Sequence, residues 1–159
     1  MTDQAPTPPS PAAPVVSPAV PGTADNTETV ERFLFALADS DLDLFESLAA
    51  PDLVWQNVGL PSIRGRGRIM KLLRRSETRM GFAVKFHHIA AEGDTVLTER
   101  TDAIIVGPLR LQFWVCGRFE VREGQIVLWR DYFDFLDIMV KAPLRALAAT
   151  VMPSLRPTF

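Results

Sequence analysis

Residues 95–134 read TVLTERTDAIIV, GP, LRLQFWVCGRFEVR, EG and QIVLWRDYFD, three long runs of alternating apolar and polar residues separated by two-residue turn signals. Alternation with period two marks strands, and joins this short are hairpins. A fourth run, Val84 to Ala91, precedes them across Glu92-Gly93-Asp94. Upstream the period changes. Val30, Phe33, Leu34 and Leu37 recur at helical spacing behind an Asp25-x-x-Glu28 capping pattern. A second helix is expected over Leu42 to Ala49, stopped by Pro51, then a strand over Leu53 to Val58, and a third helix over Arg68 to Thr78 with Ile69, Leu72 and Leu73 on its apolar face. A last apolar segment, Phe135 to Met152, reads as helix interrupted at Pro143. Helices followed by antiparallel hairpins specify an α+β fold, with one face of the sheet covered by helices and a pocket between them.

The strands carry charge on faces that their neighbours mark as buried. On Thr95 to Val106, Arg100 and Asp102 share a side with Val96, Ile104 and Val106; on Gln125 to Asp134, Asp131 shares a side with Val127, Trp129 and Phe133. On Leu53 to Val58, Trp55 and Asn57 lie on the side of Leu53. An unpaired buried carboxylate costs several kcal/mol, so two aspartates on such faces require an arginine or must give up a charge. Two readings are open. Arg100 ties the strands together as a structural ion pair, or its two partners are held in different protonation states, one able to donate a proton while the other accepts one.

The segments Leu97-Thr98-Glu99-Arg100-Thr101-Asp102 and Trp129-Arg130-Asp131-Tyr132-Phe133-Asp134, with Trp55-Gln56-Asn57 upstream, resemble the limonene-1,2-epoxide hydrolase family over roughly Asp25 to Val140. The resemblance implies a curved mixed β-sheet with N-terminal helices closing a deep apolar pocket, the cone-shaped NTF2-like architecture, usually as a homodimer. It also implies one-step hydrolysis of an epoxide to a vicinal diol without cofactor, metal or covalent intermediate. By position, Asp131 matches the general base that takes a proton from water, Asp102 the general acid that protonates the epoxide oxygen, Arg100 the bridge between them, and Asn57 a group that holds the water. The family has a tyrosine two residues before that asparagine, where this chain has Trp55; the indole N–H can donate to water but cannot accept. Trp129, Phe133, Ile104, Val96, Phe113, Val115 and Cys116 are the expected pocket wall, suited to a terpene, fatty-acid or sterol body.

The rest of the chain narrows the alternatives. Its 159 residues form one domain from residue 25, preceded by a proline- and alanine-rich extension (residues 1–24) with seven of the thirteen prolines and no aromatic residue, a composition expected to be disordered. With 17 basic against 19 acidic residues and a pI near 5.7, nucleic acid is not the expected partner. The basic run Arg64, Arg66, Arg68, Lys71, Arg74, Arg75 and Arg79, faced in sequence only by Glu77, reads as a solvated helix face. His87 and His88, adjacent on a strand, are expected on opposite faces and unable to share a metal. The single Cys116 excludes an intrachain disulfide, and no stretch is long enough for a membrane span, so the cytoplasm is the expected compartment. A non-catalytic lipid- or steroid-binding module and a ketosteroid-isomerase- or cyclase-like enzyme are the alternatives on the same fold.

Overall fold

The computed structural model describes residues 23–77, 79–152 and 154. Its element order is α1 (Thr23–Ala38), α2 (Leu42–Leu48), β1 (Ala49–Asn57), β2 (Ile63–Arg64), α3 (Arg66–Ser76), β3 (Gly81–Glu92), β4 (Thr95–Val106), β5 (Leu109–Arg122) and β6 (Gln125–Tyr132), then a π-helical turn (Asp137–Lys141) and α4 (Ala142–Val151). One curved six-stranded sheet runs in the order β2-β1-β6-β5-β4-β3. The β3–β6 meander is antiparallel, as its short joins require, and β1 enters parallel to β6, which makes the sheet mixed. All three joins of the meander are two residues long, and at Glu123-Gly124 both residues have positive φ (51° and 74°), the mirror-image turn whose twist matches that of the flanking strands.

The helices lie where their apolar faces dictate. Val30, Phe33 and Leu34 of α1 are fully buried, and with Phe45 of α2 they meet Val96, Phe119 and Trp129 of the sheet in the core. Phe33 stacks on Phe45 at 4.1 Å between ring centroids and meets Trp129 edge-on at 5.4 Å. Leu42, Phe45 and Leu48 are the buried side of α2, capped by Asp41, whose carboxylate accepts from the Leu44 N–H. On α4, Ala142, Ala146 and Ala149 are buried while Leu144, Leu147 and Val151 are exposed.

Several boundaries differ from the sequence-based expectation. The first helix begins at Thr23, which places Asp25 inside its first turn and not at a cap. Pro51 does not stop the second helix: α2 ends at Leu48 and β1 runs through Pro51, at an irregularity where the β1–β6 ladder passes from Ala49 to Val54 and an N–H is not required. The loop after β1 holds a two-residue strand, β2, and α3 begins at Arg66. His87 and His88 do not face opposite ways. A bulge lies between Phe86 and His88 in the β3–β4 register, so both imidazoles are exposed and bond to side chains of one face of β4, Thr101 and Glu99. The proline-rich segment lies outside the described residues.

Candidate active site

Register brings the polar groups together. Along the β1–β6 ladder, Trp55 is opposite Trp129 and Asn57 opposite Asp131, while β4 and β5 pair Arg100 with Val115 and Asp102 with Phe113. Arg100, fully buried, is the centre. Its Nε–H donates to Asp102 Oδ1 at 2.9 Å, Nη2–H to Asp131 Oδ1 at 2.5 Å, and Nη1–H to Thr98 Oγ1 at 2.9 Å. The guanidinium also lies 5.7 Å from the centre of the Phe119 ring. Thr98 was not singled out by sequence, although it is buried two residues before Arg100 on the same side of β4, where parity alone could have placed it.

Burial and pairing compete at each charge. Desolvation pushes Asp102 up to about 6; Arg100 pulls the other way, and the neighbouring Asp131 charge pushes it up further. Asp131 is also raised by burial, against the pull of Arg100. Arg100 loses solvation, but Asp131 and Asp102 outweigh that and hold it firmly charged. Two carboxyl groups and one guanidinium are neutral together when the pair holds a single proton. The two therefore titrate as a unit.

The triad sits against an open, mostly apolar cavity of about 210 Å³. Of the expected polar residues, Trp55, Asn57, Asp102 and Asp131 line it; Arg100 lies behind the carboxylates, out of contact with solvent. Of the expected wall, Ile104, Phe113, Val115, Trp129 and Phe133 line it. Val96 does not: it is at the far end of β4, in the core with Phe33 and Phe119. Cys116 does not either, because alternation along β5 turns Phe113, Val115 and Gly117 inward and Cys116 to the other face. Trp55 and Trp129 stack at 4.8 Å with planes 13° apart, and the Nε1–H of each is buried without an acceptor among the described residues. The helices complete the wall with Leu37 of α1, Leu73 of α3 and Ile138 of the π-helical turn.

Gly117 is the other residue that sequence reasoning passed over. A Cβ there would stand 2.1 Å from Arg100 Nη1 and 2.5 Å from Thr98 Oγ1, so the glycine makes the space in which the guanidinium lies. A glycine in the middle of a 14-residue strand was the signal. Gly117→Ala is expected to displace Arg100, lowering stability by about 1–3 kcal/mol and turnover with it; wild-type thermal denaturation and wild-type kcat/KM in this variant would refute the crowding argument.

The basic segment is largely a solvated face, with Arg64, Arg68, Lys71, Arg74, Arg75 and Arg79 exposed, but two of its arginines also reach α2. Arg66 donates to the backbone carbonyls of Glu46 and Ala49, and Arg74 pairs with Asp43 and Glu46 of α2, partners the sequence separation concealed.

The comparisons with known proteins agree with this geometry. The family model of the limonene-1,2-epoxide hydrolase catalytic domain matches residues 24–145. Epoxide hydrolase EphG of Mycobacterium tuberculosis is 57% identical over 129 residues, 81% of this chain and 86% of the relative. A solved M. tuberculosis LEH-like epoxide hydrolase superposes with a TM-score of 0.84 at 53% identity, covering 89% of this chain and all of that one. An NTF2-like protein from Burkholderia xenovorans, 20% identical with a TM-score of 0.61 over 76% of this chain and 96% of its own, shares the fold. With the match extending across α1, the whole sheet and into α4, this chain belongs to the limonene-1,2-epoxide hydrolase family.

Proposed function

We propose that this protein hydrolyses a lipophilic epoxide to a vicinal diol in one step. The observation that carries the reading is the placement of Asp102 and Asp131 on either side of one buried guanidinium, both opening onto an apolar cavity. Epoxide opening requires a proton for the leaving oxygen while water attacks from the opposite side, which calls for an acid and a base held together. Burial raises both carboxyl groups and Arg100 pulls both down; the assignment of the shared proton to Asp102 and of the base to Asp131 follows the family resemblance. Water gives its proton to Asp131 as its oxygen bonds to carbon; the ring C–O bond breaks and its oxygen takes the Asp102 proton. The pair ends with its proton on Asp131, and exchange with solvent restores the starting state. No cofactor is needed, since every proton and electron pair is supplied by substrate, water and the two carboxyls.

Asn57, opposite Asp131 in the ladder, and Trp55, whose N–H has no acceptor among the described residues, are the proposed holders of that water. The cavity wall supports a terpene, fatty-acid or sterol body. We also propose a homodimer, supported by exposed Leu144, Leu147 and Val151 on α4. We also propose a cytoplasmic location; no helix among the described residues is long and apolar enough to cross a membrane.

The test is a single turnover in ¹⁸O-labelled water with terpene, fatty-acid-derived and sterol epoxides. Label in the diol from the first turnover is the expected result. Unlabelled oxygen in that first product would mean that a carboxylate attacked the ring, and no diol from any epoxide would return the choice to a binding module or an isomerase.

A further inference from the structure

With Asp102 and Asp131 balanced by Arg100 and a shared proton, the one uncompensated charge in the cavity lining among the described residues is that of Glu77. Asp102, Asp131 and Glu77 line the cavity, and among the described residues no lysine or arginine does. The cation nearest the carboxylates, Arg100, is wholly buried with its N–H groups committed to Asp102, Asp131 and Thr98. Of the basic run in and just after α3, Arg66 and Arg74 turn to α2, and Arg75 and Arg79, either side of Glu77 in sequence, are exposed outside the lining. Glu77 is both exposed and part of the cavity wall, so it stands at the opening. It is the C-cap of α3, where the carbonyl end of the helix adds negative potential.

A neutral substrate crosses such an opening at no electrostatic cost, whereas an anion leaves water for a wall of its own sign. Resting on the epoxide-hydrolase reading, we infer that Glu77 is a charge filter: the enzyme accepts uncharged lipophilic epoxides and discriminates against those whose far end bears a carboxylate. Fatty-acid-derived epoxides are then substrates as amides or esters more than as free acids. The basic run contributes no side chain to the wall.

The experiment compares kcat/KM for a ten-carbon fatty acid carrying a terminal epoxide with that for its primary amide, at pH 8, where the acid is ionised. Wild type is expected to prefer the amide by at least about fivefold, the size of one near-surface charge interaction, and to lose part of the preference as salt screens it. Glu77→Gln is expected to remove most of that preference and Glu77→Lys to reverse it. Glu92→Gln, at the opposite end of β3, makes the same change in net charge and is expected to keep the wild-type ratio. A wild-type enzyme that opens acid and amide equally, or a preference that survives both Glu77 changes, overturns the filter while leaving epoxide hydrolysis intact. Failure to open either compound overturns the filter, and epoxide hydrolysis falls with it only if the terpene and sterol epoxides are left unopened as well.

Discussion

Asp131→Asn and Asp102→Asn are each expected to lower kcat/KM by between roughly a hundredfold and ten-thousandfold while the protein stays folded. The reason is the charge balance of the triad. With Asp102 replaced, Arg100 and ionised Asp131 still cancel; with Asp131 replaced, Asp102 is relieved of its neighbour's charge, Arg100 continues to pull it down, and it ionises in turn. Neither change strands a net charge in the core, but the first removes the acid and the second removes the base and leaves the acid deprotonated. Turnover and thermal denaturation of both variants decide it. Unfolding of either, or retention of more than a tenth of the activity, would contradict the assignment. The same balance sets the wild-type pH dependence. As pH rises past about 6, to which burial lifts Asp102, the proton of the pair is lost and activity declines on the alkaline side; at low pH Asp131 is protonated and the base disappears.

Arg100→Gln is expected to be the most destabilising single change at the site, about 3–5 kcal/mol at pH 8, because it leaves two buried carboxyl groups without their cation. The loss depends on pH in a defined direction. Burial already holds both folded-state pKa values above the ordinary carboxylate range, and removing the guanidinium raises them further. A group raised in the folded state contributes stability below its unfolded pKa and loses that contribution as pH rises through the folded value. The variant is thus closest to wild type near pH 4, where both groups are protonated and neutral, and falls away steadily above about pH 6. Urea denaturation at pH 5 and pH 8 measures this; a deficit equal at both would show that the guanidinium matters for packing and not for charge.

How far the sequence revealed these groups follows from what each signal depends on. β4 and β5 were legible to the residue because alternation and turn residues are local, and parity along them put Arg100 and Asp102 inward. Parity failed at His87, where a bulge inserts one residue and reverses the facing of everything beyond it. It could not rank depth: Val96 and Ile104 share a face of β4, yet one is in the core and the other in the cavity wall, because what covers them comes from helices distant in sequence. Cys116 broke the rule outright, since it and Val115 are neighbours on one strand and cannot both face the cavity. The roles of Asp102 and Asp131 came from resemblance to a family, as either an ion pair or an acid–base pair satisfies the same burial. Glu77 was visible only as a minor charge in a basic run, for nothing in α3 records which of its residues borders the opening.

The pairing of β1 with β6 has a consequence for how the enzyme comes into being. Its cross-strand partners, such as Gln56 and Arg130, are 74 residues apart, whereas the β3–β6 hairpins close over a few residues each. Long-range closure must pay its chain entropy before any contact across it returns energy, so the local meander is favoured to form first and the parallel pair to join last. Arg100 and Asp102 are thereby set in place on the meander, while Trp55 and Asn57 arrive with the final docking of β1. During synthesis that docking waits until β6 has left the ribosome; the nascent protein therefore lacks the proposed water site until then.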